Sequence, residues 1–343
     1  MPRWPKTKRL TITAAAVVGL FAALIFTIWS SGRIASKSTL ASTESQLQEN
    51  ISVRSSKSTR IPQSKAEAYA TLHGRTGVCM IALSRATGDP SWLQRAIAEH
   101  PEDPRVQLER WRTAKTEEEV LAAARALRQA APNNPLGTYL EASQAFNLRD
   151  LGTVARLMED AEVAGSFNSY TLDIMLETQA AFSASGLGER EAWEAAYQSD
   201  SDGRLVPKTL EALTSLGNDM GELQHVFVEL GYWDEADFMF ERTLALGEQL
   251  EDGDTLFENL IGIALQKKLL ASFDAQTLVS DDGKRASQRL AELDAVKEEI
   301  HTTNALVTDE KIKSLDAAGW AQYHEILRRD GEIAAFRWLS QRK

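Results

Sequence analysis

The sequence predicts an all-α protein: one apolar span, a tether, then a stack of helix hairpins. Three observations predict it. Leu10 to Trp29 runs for twenty residues without a charge. From Lys65 onward apolar residues recur at helical spacing, and no convincing strand interrupts them. Gly and Pro punctuate this periodic part at short intervals, as turns between helices require.

The span reads LTITAAAVVGLFAALIFTIW and is polar only at three threonines. At ~1.5 Å per residue it covers ~30 Å, the thickness of a bilayer's hydrocarbon core. Trp4 and Trp29 bracket it where interfacial aromatics belong. Arg3, Lys6, Lys8 and Arg9 precede it, so the positive-inside rule places residues 1–9 in the cytoplasm. The rest is then extracytoplasmic, held by a single pass through the inner or plasma membrane (periplasmic in a bacterium). A cleaved signal peptide is the rival reading. Its apolar core is normally ~7–15 residues, shorter than this one. Here the small residues Ser30-Ser31-Gly32 directly follow bulky Trp29, which favours a retained anchor. Residues 30–64 are rich in Ser, Thr, Gln and Lys and poor in aromatics, the composition of a flexible, disordered tether.

Charge is unevenly divided. Residues 1–40 hold six bases and no acid, which leaves 49 acids against 32 bases beyond them, a balance of −17. A surface this acidic repels nucleic acid, whose phosphates need clustered Lys and Arg. Cys79 is the only cysteine, so no internal disulfide forms. Its apolar setting, Val78-Cys79-Met80-Ile81, predicts a buried small hydrophobe.

Within residues 65–251, Pro101-Glu102-Asp103-Pro104 and Pro132-Asn133-Asn134-Pro135 are equivalent turns, each with a proline closing one helix and another opening the next. Leu93, Ala96 and Pro101 recur as Ala124, Leu127 and Pro132, and again as Met158, Ala161 and Ser166. Gly231-Tyr-Trp-Asp-Glu-Ala236-Asp-Phe-Met-Phe240 adds a small residue followed four places later by an aromatic. These units resemble the tetratricopeptide repeat, a helix-turn-helix of ~34 residues with an A-x-x-x-F pattern in its second helix. The resemblance implies a right-handed solenoid of antiparallel hairpins whose first helices line a groove for a peptide or partner helix. Residues 252–343 change pattern and are expected to form a helical C-terminal cap or small subdomain, since repeat arrays need a terminal element over their last apolar face.

No motif for chemistry stands out. The five histidines, His73, His100, His225, His301 and His324, form no H-E-x-x-H pair, and no zinc set, P-loop, dinucleotide fingerprint or G-x-S-x-G elbow is present. No catalytic residue, metal or cofactor is therefore assigned. The expected function is a membrane-anchored interaction scaffold, or an assembly factor of an envelope complex, whose protein partners lie at or near the membrane. If the repeats align as proposed, Tyr139, Phe146, Asn147 and His225 are the candidate groove residues, while the competing and favoured reading for Tyr139 and Phe146 is interhelix core. The alternative is an envelope enzyme of a helical glycan-cleaving type. It needs a deep cleft with two carboxylates ~5–10 Å apart.

Overall fold

The computed structural model describes residues 59–200, 207–277, 279, 283–307 and 309–342. The expected span at 10–29 and most of the tether lie outside them. Among the described residues no helix is long and apolar enough to cross a membrane.

These residues form fifteen helices and no strand. The first seven are α1 (Gln63–Leu72), α2 (Gly77–Thr87), α3 (Ser91–Glu99), α4 (Pro104–Thr113), α5 (Glu117–Ala130), α6 (Leu136–Asn147) and α7 (Leu151–Glu162). Then follow α8 (Thr171–Ala184), α9 (Glu189–Asp200), α10 (Lys208–Leu230), α11 (Trp233–Glu251) and α12 (Leu256–Leu270). The last three are α13 (Ala286–Leu306), α14 (Asp309–Lys313) and α15 (Ala317–Ser340). Local chemistry sets the boundaries. Thr116 and Glu119 close a capping box on α5, Thr255 and Glu258 another on α12, and Pro104 opens α4 at a position where its missing N–H costs nothing. Ordered packing begins before the expected boundary at residue 65, because Ile61 is buried and its N–H donates to Ala86 O at 3.0 Å.

The hairpins α2–α3, α4–α5 and α6–α7 follow one another, and the recurring positions Leu93, Ala124 and Met158 are all buried in their second helices. Beyond α7 the path departs from a linear array. Helix α8 doubles back onto α2 and α1, and α10 continues from α6 in its place. One apolar cluster joins α1–α3 to α8, α9 and α15; a second joins α4–α7 to α10 and α11; a third lies around α12 and α13. The helices thus close a circuit through α2, α4, α5, α6, α10, α12, α13, α15 and α8. In the segment after residue 252, α12 lies against α10 and α11, and α15 shares the core of α2. The C-terminal segment thus both covers the last hairpin and packs against the first.

The closure is fastened at a break in α15, where Gly331 adopts φ 82° and ψ 178°. Glu332 N–H donates to Asp254 O at 2.8 Å, and Leu256 N–H donates to the Glu332 carboxylate at 2.8 Å. Burial pushes the Glu332 carboxyl up from 4.5 to about 7; the Leu256 bond lowers it and nearby Glu258 raises it. Between these two values the folded chain holds a proton that the unfolded chain has lost, so this group's contribution to stability falls as pH rises from 4.5 to about 7. His324 works the other way. Burial depresses it from 6.5 to about 4, so its contribution falls as pH drops through that window. The difference between wild type and Glu332→Gln isolates the carboxyl. The variant is expected to gain about 1–3 kcal/mol relative to wild type between pH ~5 and ~8, read from urea midpoints.

Candidate functional site

The four groove candidates fall in different environments. Tyr139 is 1% exposed, and its hydroxyl donates to Gln249 Oε1 at 2.9 Å, so it struts α6 against α11 inside the core. Burial pushes its phenol well above the usual tyrosine range. Phe146 is half-buried against the same core, and Asn147 is exposed at the end of α6. His225 is exposed on α10 and lines a recess of about 30 Å³, whose walls come from α10, α11 and α12 and not from α6. The structure therefore does not gather these four residues into one groove.

The recess belongs to a larger face of the α10–α11 hairpin. Its apolar walls include Gly217, Gly221, Leu265 and Leu269, with Glu222 and Lys268 at the edge. Here α12 meets α10 through Leu265 against Gly217 and Lys268 with Asn218 at 2.8 Å, and Phe273, just past α12, meets Phe240 of α11 edge-on. Four-residue steps share a helix face, so the row from Gly217 continues through Gly221 and His225 to Glu229. On α11 a step of three and then one of four, which also share a helix face, lead back from Phe240 through Asp237 to Trp233. Between the two rows, Gly231 turns the chain at φ 78°. Leu230 is 48% exposed and Trp233 45% exposed on either side of that turn.

The chain along this hairpin is strongly acidic between Lys208 and Arg242. From Thr209 to Glu241 there is no Lys or Arg, while Glu211, Asp219, Glu222, Glu229, Asp234, Glu235, Asp237 and Glu241 are all acids. Asp237 is raised above the usual carboxylate range by partial burial and then by Asp234. Asp219 is raised chiefly by burial, with Glu222 adding to it and Ser215 and Lys268 opposing. This run of acids without bases was readable in the sequence, whereas the exposure of Leu230 and Trp233 was not.

Other polar groups serve structure. Glu258 is 1% exposed and closes the α12 capping box with Thr255, beside Glu332. Neither carboxylate lines the His225 recess or the shallow groove between α9 and α15. In that second groove Glu194 pairs with Arg190 at 2.8 Å, and Glu189 accepts from Gln179 at 2.6 Å. Cys79 is fully buried, and burial pushes its thiol up to about 12. Among the described residues no group of three or more His, Cys, Asp and Glu is placed to hold a metal ion.

Compared with protein-family models, with curated proteins and with solved structures, the chain matches none of them.

Proposed function

We propose that this chain is a membrane-anchored interaction module, an accessory or assembly factor that docks a partner protein on the turn end of its α10–α11 hairpin. One observation carries the reading. Leu230 and Trp233 stand about half exposed on either side of the turn that ends this hairpin, and α10 further back lines a recess through Gly217, Gly221 and His225. Exposed aromatic anchors are what protein interfaces use as energetic centres. Buried equivalent positions in the hairpins α2–α3, α4–α5 and α6–α7 support a degenerate tetratricopeptide origin for the scaffold. The docking surface, however, is placed at the projecting end of a later hairpin, since α8 of the chain itself covers the first helix, α2.

The apolar span at 10–29 would fix the module to the bilayer and its tether would let the face search the adjacent compartment. Anchoring raises the effective concentration of any partner in the same membrane. Co-purification from solubilised membranes tests the docking face. Trp233→Ala combined with Leu230→Ala is expected to lower recovery of a specific partner at least about fivefold. Leu72→Ala combined with Val163→Ala, which removes exposed apolar side chains elsewhere, leaves recovery unchanged. Equal recovery with both double variants removes the α10–α11 face from consideration.

A further inference from the structure

Resting on the docking reading above, we infer that the occupant of the α10–α11 face is a basic amphipathic segment of a partner protein, with a small aliphatic group seated in the recess at Gly221 and Lys or Arg side chains lying along Glu229, Asp234 and Asp237. Charge complementarity selects the class of occupant. Between Lys208 and Arg242 the hairpin carries eight acids and no Lys or Arg, and Glu229 and Asp234 are exposed at its turn, so an acidic or neutral segment gains nothing from that rim. Shape selects the apolar part. The recess is about 30 Å³, walled by Gly217, Gly221, Leu265 and Leu269, and a Cβ built on Gly221 meets nothing within 4 Å. That space takes a methyl-sized group, not an aromatic ring.

Trp233 joins the two requirements. Its ring is 45% exposed, Asp234 follows it directly, and Asp237 lies one turn further along α11. A cation over an indole face with carboxylates at its edge is held by both the ring quadrupole and the ion pairs. The half-buried carboxylates of Asp219 and Asp237 fit the same assignment: burial is the main opposition to their ionisation, Glu222 and Asp234 add to it, and an incoming cation offsets that added repulsion. Lys268 at the recess edge marks where the acidic strip ends.

The test uses the full chain in nanodiscs of zwitterionic lipid and a labelled synthetic peptide of about 15 residues built from Leu and Lys. A second peptide carries Glu in place of Lys, and empty nanodiscs serve as the blank. The Lys peptide is expected to bind wild type and to weaken about tenfold or more with Glu229→Lys/Asp234→Lys, two exposed positions on the face. Trp233→Ala, which changes no charge, also weakens it several-fold. Glu102→Lys/Glu159→Lys makes the same change of net charge at exposed sites on other elements and leaves the affinity within about twofold. Equal weakening by the two charge reversals, or equal binding of the Glu peptide, overturns the inference. The docking reading fails separately: a partner segment crosslinked to Trp233 that is neutral or acidic rejects the basic occupant and keeps the face, while loss of any partner at the face rejects both.

Discussion

Gly262→Ala is expected to lower the midpoint of thermal unfolding by about 6–12 °C, a loss of about 3 kcal/mol. Helices α11 and α12 touch most closely at this residue. A Cβ added there would sit 2.3 Å from Glu251 N and 2.5 Å from Gly247 O, both backbone atoms that no rotamer change moves aside. The helices must separate, and the core residues Leu246, Leu250, Ile263 and Leu265 lose contact together. Gly221→Ala is the matched control. It is also a helical glycine, but nothing lies within 4 Å of its added Cβ. Alanine's better helix propensity should therefore raise stability there by about 0.5–1 kcal/mol. Opposite signs at two glycines of one helix layer would establish that contact, and not propensity, sets the response.

The second large effect is expected at Glu109. Its carboxylate lies 2.8 Å from Arg85 Nη2 and 3.7 Å from Arg112 Nη1, and all three side chains are nearly buried. Arg85 belongs to α2 and the other two to α4, so the cluster ties two consecutive hairpins. Glu109→Ala removes the negative charge shared by two guanidinium groups and leaves like charges facing each other where little water reaches. Breaking such a site costs about 3–5 kcal/mol. Glu109→Gln keeps the shape and removes only the charge. A loss nearly as large with Gln identifies electrostatics as the cause, and a small loss with Gln assigns the effect to packing.

Much of the local architecture was legible in the sequence because its signals are local. Proline at 101, 104, 132 and 135 fixed two turns, and the recurring Leu93, Ala124 and Met158 marked equivalent buried positions on three second helices. The return of α8 onto α2 was not legible. Leu172, Ile174, Met175, Leu176 and Phe182 make α8 apolar on several sides, and such a helix carries no address for the surface that buries it. The closure at Gly331 was hidden for a related reason. A single glycine inside an otherwise helical pattern does not announce a break, and its partner, Asp254, lies far away in sequence. At the candidate site the acidic run could be counted from Thr209 to Glu241, yet the match to a repeat groove drew attention to Tyr139, which packs inward on Gln249. Of the four groove residues, His225 is the one that lines the open recess.

Position-dependent photo-crosslinking in intact membranes tests the docking face most directly. The crosslinker is placed at Trp233 or His225 and, for comparison, at Val163, just past α7, or Leu72, at the end of α1, which are 83% and 82% exposed. The same protein captured through Trp233 and His225, and through neither comparison site, is the predicted result. Capture only through Val163 or Leu72, equal capture at all four positions, or silence at Trp233 and His225 in a folded chain contradicts it.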